Sequence, residues 1–164
     1  AMAVAWKPRY NNVEKLLKQG VIDAHCVEFN RRATKSREIE HLELTPLRKI
    51  LLAIDGWTAC MPVIECDLGN IVSRGRLFLG KNSIMKKGQP CGCHSNSAYL
   101  WDANRSRLRI ATGYSLSGDG IWRQHSWNVM RKDERVVETT CRRILYFGFV
   151  MTTRECKKFL HENY

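Results

Sequence analysis

RLRIATGYSLSGDGIWRQHSWNVM, Arg107 to Met130, reads as a β-hairpin. Arg107 to Leu116 is rich in residues that suit a pleated strand, Gly118-Asp119-Gly120 supplies a tight turn, and Ile121 to Met130 forms the second strand. Alternate side chains of a strand share a face. Arg123, His125 and Trp127 therefore lie on one side, and Gln124, Ser126 and Asn128 on the other. Downstream, the charged Arg131 to Glu134 makes a turn, and Arg135 to Thr140 (RVVETT) and Arg143 to Val150 (RILYFGFV) are two further strands. Together these four form an antiparallel meander, followed by a helix capped by Thr152 or Thr153 and running through Glu162.

Upstream of the hairpin, the polar segment Gly80 to Gly92 leads into Cys93 to Asp102 (CHSNSAYLWD). Ala98, Leu100 and Trp101 argue for a short helix there, beginning close to Cys93. From Met61 the pattern favours extended structure, Val63 to Cys66 and then Ile71 to Leu79, with Asn70 and Gly75 supplying turn chemistry. The earliest part reads helical. Asn11 or Asn12 caps Val13 to Gln19, which ends at Gly20, while Thr45-Pro46 opens a helix whose Leu47, Ile50, Leu51 and Ile54 repeat at helical spacing until Asp55-Gly56. The expectation is one α+β domain over residues 1–164. Residues 1–60 are expected to be mainly helical, and 61–164 to carry a nucleophile-bearing helix packed on an antiparallel sheet.

A chain of 164 residues, 44% hydrophobic and 26% charged, with 11 Gly and 4 Pro, has the composition of a globular protein long enough to bury a core. No apolar run approaches the roughly 20 residues of a membrane-spanning helix, and no secretory-signal pattern opens the sequence, so no membrane partner is expected. Lys and Arg number 27 against 16 Asp and Glu, a formal net charge of +11 that favours acidic partners. No zinc-finger, helix-turn-helix or RNA-recognition signature accompanies it, so nucleic acid is expected to bind only nonspecifically. Seven Cys is an odd number, which excludes complete pairing within the monomer and points to a reducing compartment. The expected location is the cytoplasm, its own or that of a target cell after delivery.

Cys93 is the candidate nucleophile. A thiol at a helix start faces unpaired backbone N–H groups and the positive end of the dipole, both of which stabilise a thiolate. Gly92 lets the backbone approach a substrate closely, and neighbouring N–H groups suit an oxyanion. His125 is mounted on a strand. If that strand pairs with Arg135 to Thr140 through an even-length turn, Glu138 falls on the same face as His125, either opposite it or one diagonal step away. A carboxylate there holds one imidazole nitrogen while the other faces the thiol, the arrangement of nucleophile, base and orienting acid.

Gly92-Cys93 opening a helix, His125-Ser126-Trp127 on a strand and Glu138-Thr139-Thr140 after a turn resemble the transglutaminase-like branch of the papain-like cysteine enzymes. The resemblance covers Gln89 to Gly148. Glu138 stands where that family usually has Asp, and Thr139 replaces its proline. What the resemblance implies is a papain-like or transglutaminase-like α+β fold and attack on an amide carbonyl of a protein or peptide through a thioacyl intermediate. Deamidation of glutamine, transglutamination and proteolysis all fit, and none needs a cofactor. Gln89 then becomes a candidate oxyanion donor, Trp127 a cleft wall, and Asn96 either an amide-orienting residue or a local cap. Cys91 is an alternative nucleophile. The competing readings are a zinc site built from Cys91, Cys93, His94 and His125, a non-catalytic basic binding module, and an inactive scaffold.

Overall fold

The computed structural model describes residues 45–62 and 64–163, and the expected helix Val13 to Gln19 lies outside them. Four helices and seven strands follow in the order α1 (Thr45–Ile54), β1 (Thr58–Cys60), α2 (Leu68–Arg74), β2 (Arg76–Leu79), β3 (Ile84–Met85), α3 (Cys93–Asp102), β4 (Leu108–Leu116), β5 (Ile121–Met130), β6 (Val136–Glu138), β7 (Leu145–Val150) and α4 (Thr153–Glu162). The fold is α+β, with all seven strands in one mixed sheet of order β2-β7-β4-β5-β6-β3 and β1 paired to β5.

The hairpin forms with Leu108 opposite Met130 and Leu116 opposite Trp122. Its turn is closed by Gly120 N–H on Ser117 O at 2.9 Å, with Gly120 at φ 79°, a conformation that suits glycine. The expected meander holds only through β6. β7 returns to pair antiparallel with β4 on the edge away from β5, giving the 4-1-2-3 order of a Greek key across β4 to β7. The reason lies at the outer edge of β6, which β3 already occupies in parallel, Met85 beside Glu138.

Three further expectations change. Ile71 to Arg74 is helical, because a helix turns Ile71 and Leu68 into the core and leaves Val72 outside, and Gly75 N–H then closes its last turn on Ile71 O. Thr58–Cys60, within the part expected to be helical, is a strand parallel to Ile121–Arg123. Ile84–Met85 adds a strand inside the segment read as a polar loop.

The sheet buries both faces. The larger core, on the helix-covered side, gathers Leu47, Leu51, Trp101, Ile110, Tyr114, Leu116, Trp122 and Phe149. The other face carries a smaller cluster of Phe78, Ala111, Trp127, Val129, Val136 and Tyr146. Glycines make that second face possible. A Cβ on Gly148 would sit 2.2 Å from Thr112 O and 2.8 Å from the Trp127 ring, and one on Gly113, opposite His125, 2.3 Å from Phe147 O. Among the described residues no helix is long and apolar enough to cross a membrane.

Candidate active site

β1 and β6 pair with the same edge of β5, β1 at 121–123 and β6 at 128–129. Between them, residues 124–127 have no strand partner on that edge among the described residues. The start of α3 lies at this gap. Trp101 and Ala98 anchor the helix in the larger core, and Asn128 Nδ2 donates to Ser97 O at 3.0 Å, tying helix to strand. His94 points to the core side, its Nδ1 2.6 Å from Ser126 Oγ and its ring edge-on to Phe159. Cys93, one residue earlier, turns to the opposite face, where the His125 ring and the Ser126 backbone N–H both act to lower its thiol pKa.

His125 is buried, and its Nε2 lies 2.9 Å and 3.1 Å from the two oxygens of Glu138. The β5–β6 register puts Asn128 opposite Val137. Trp127 therefore falls opposite Glu138, and His125 one diagonal step from it. Glu138 is fully buried and saturated with donors. Oε1 accepts from Thr139 N and Thr140 N, both at 2.8 Å, and from Thr140 Oγ1 at 2.9 Å; Oε2 accepts from Tyr146 Oη at 2.8 Å.

Electrostatics follow from this line of groups. Burial opposes charge on Glu138, but His125, Arg143 and the Thr140 N–H outweigh it and hold the carboxyl down at about 2. Burial likewise opposes the imidazolium, yet the Glu138 carboxylate and the facing sulfur push His125 up to about 9. For Cys93, burial is again the largest single influence, and it is overcome by the His125 charge, the hydrogen bond to His125 and the Ser126 N–H. The thiol therefore lies below its ordinary value. Both shifts favour a thiolate–imidazolium pair, and the N-terminal dipole of α3 acts in the same direction. Tyr146 is raised well above its ordinary value, first by burial and then by Glu138, so it keeps its proton and remains a donor. His94 is pushed down to about 4 by burial and by His125, which leaves it neutral.

The structure brings His125 and Glu138 into contact and places Cys93 beside them at the head of α3. Gly92 is the N-cap of α3, and the first-turn N–H groups beside Cys93 lack intrahelical acceptors, the position an oxyanion hole requires. The Gln89 residue is exposed, and its backbone rather than its carboxamide is engaged: its N–H donates to Asn96 Oδ1 at 3.0 Å, and its C=O accepts from Asn96 Nδ2 at 2.8 Å. Asn96 thus acts as the local clamp of the loop before Cys93. Trp127 is fully buried, stacked near the His125 ring at 6.3 Å and 17°, and walls the imidazole from behind. Cys91 is exposed, in a left-handed conformation at φ 57°, outside the helix that activates Cys93. Among the described residues no three His, Cys, Asp or Glu side chains converge to hold a metal ion, and the turn of His94 toward Ser126 separates it from the proposed zinc set.

Tyr146, Arg143 and the Ser126 N–H enter the site without having been singled out in the sequence, and Thr140, quoted there only as part of the Glu138-Thr139-Thr140 motif, is a donor to Glu138. Period-2 alternation along β7 is a signal for Tyr146 alone, since it places that residue on the His125 face; no residue pattern marks a backbone N–H. Compared with known proteins, the chain matches no family model, no curated protein and no solved structure.

Proposed function

We propose that the protein is a cysteine-dependent acyl-transfer enzyme, a divergent papain-like or transglutaminase-like hydrolase or transferase acting on an amide of a protein or peptide. The observation that carries the reading is the buried His125–Glu138 pair, Nε2 2.9 Å from Oε2, placed beside the head of α3 where His125 lowers the Cys93 thiol. The Cys93 thiolate attacks the amide carbonyl, and the first-turn N–H groups of α3 hold the oxyanion. As the C–N bond breaks, the His125 imidazolium gives its proton to the departing ammonia or amine, leaving a thioester. Neutral His125 then takes a proton from water or an acceptor amine, which attacks the thioester and releases Cys93. Glu138 fixes the imidazole throughout. A net charge of +11 favours an acidic substrate protein, encountered in the cytoplasm of its own or of a target cell.

The test is incubation with a library of acidic, glutamine-containing proteins, with and without a primary amine, followed by mass spectrometry for glutamate formation, amine incorporation or chain cleavage. One of the three products is expected from the wild type and none from Cys93→Ala. No product from the wild type, or equal product from Cys93→Ala, overturns the proposal.

A further inference from the structure

A concave site lies on the face of the sheet away from His125. Ile84 of β3, Leu100 of α3, Leu108 of β4, Met130 of β5 and Val137 of β6 wall a cleft of about 330 Å³, rimmed by Lys86, Asn104 and Arg107. All five apolar walls belong to helix or strand, so the cleft is preformed, and its volume falls at the small end of the roughly 300–1,000 Å³ of small-molecule pockets. Leu100 is seven residues beyond Cys93, about 10 Å along the helix at 1.5 Å per residue, so the cleft is separate from the thiol.

The rim decides what the cleft would hold. Lys86 and Arg107 are both exposed, and among the described residues no carboxylate pairs with either. Asn104 spends its Nδ2 on Leu100 O at 3.0 Å. Apolar walls beneath two cations without acidic partners match a short aliphatic chain that ends in a negative charge, and a planar carboxylate suits the fork of an arginine.

We propose that this cleft is a binding site for a medium-chain aliphatic carboxylate, the chain lying against Leu100, Leu108, Met130 and Val137 and the carboxylate meeting Lys86 and Arg107. The site is independent of the catalytic reading, and its test does not use activity. Methyl-resolved NMR titration of the protein with octanoate is expected to give saturable shifts at those four side chains. Affinity should rise roughly fourfold for each methylene added from hexanoate to octanoate, the increment for burying one CH₂. Octan-1-ol, matched in chain but uncharged, should bind at least about threefold more weakly, and octylamine more weakly still. The exposed pair Lys86→Glu and Arg107→Glu should lose octanoate binding without change in fold, and Leu100→Trp, which fills the cleft, should block all three ligands. Shifts that do not saturate, octylamine binding as well as octanoate, or octanoate binding undiminished in Leu100→Trp would each overturn the proposal.

Discussion

Replacing Glu138 with glutamine perturbs the site through one atom. The carboxylate receives His125 Nε2, two backbone N–H groups, the Thr140 hydroxyl and the Tyr146 hydroxyl, all donors. A carboxamide of the same shape must turn its NH₂ toward at least one of them. Removing one partner of a buried ion pair costs about 3–5 kcal/mol, and in a chain of this size each kcal/mol moves Tm by about 2–4 °C, so the expected fall is about 6–20 °C. The proton balance shifts as well. Glu138 is the largest influence raising His125 against its burial, so without it the proton returns from the imidazole to Cys93. Each lost unit of pKa difference is a tenfold loss of thiolate. The assay pairs a thermal scan with the rate of Cys93 carbamidomethylation at about pH 6, where an ordinary thiol is almost fully protonated. Glu138→Gln should label at least about tenfold more slowly than wild type while remaining folded at room temperature. A variant that melts within about 2 °C of wild type and labels at the same rate would refute both the saturation of Glu138 and its hold on His125.

Other consequences test neighbouring links. Tyr146→Phe removes one donor from a charged acceptor and should cost about 1.5–3 kcal/mol in urea unfolding, yet retain most of the low-pH labelling, because the His125–Glu138 contact survives. Gly148→Ala places a methyl against Thr112 O and the Trp127 ring, and overpacking of that kind should cost about 1–3 kcal/mol with a change in near-ultraviolet tryptophan dichroism. Glu138 lies at about 2 in the fold against an ordinary 4.5, so its contribution to stability is complete above 4.5 and disappears as the pH falls toward about 2. Unfolding free energy measured over that interval should therefore fall more steeply in the wild type than in Glu138→Gln.

Legibility of the fold followed the range of the interactions that decide each element. The hairpin, the helix at Cys93 and the cap at Thr152 rest on neighbours within a few residues, and the sequence pattern reaches them. The diagonal from His125 to Glu138 was also readable, because strand alternation and a short turn bound the register. The return of β7 to β4 was not, since it depends on β3 already occupying the outer edge of β6, a pairing between residues more than fifty apart in the chain. Ile71 and Val72 carry strand propensity that tertiary burial overrides, because helical i, i+3 spacing is what brings Leu68 and Ile71 to the same core. Asn96 shows the same limit at the site. Its spacing after Cys93 allowed substrate contact or a local clamp, and only the loop's path past Gln89 distinguishes them.

The most direct measurement is peptide-mapped alkylation at mildly acidic pH, comparing the wild type with Cys93→Ala and His125→Ala. Labelling concentrated on Cys93 and abolished by loss of His125 is the expected result, since the His125 charge is what lowers the Cys93 thiol against its burial. Even labelling across the seven cysteines, or Cys93 labelling that His125→Ala leaves unchanged, would contradict an activated thiolate at the head of α3.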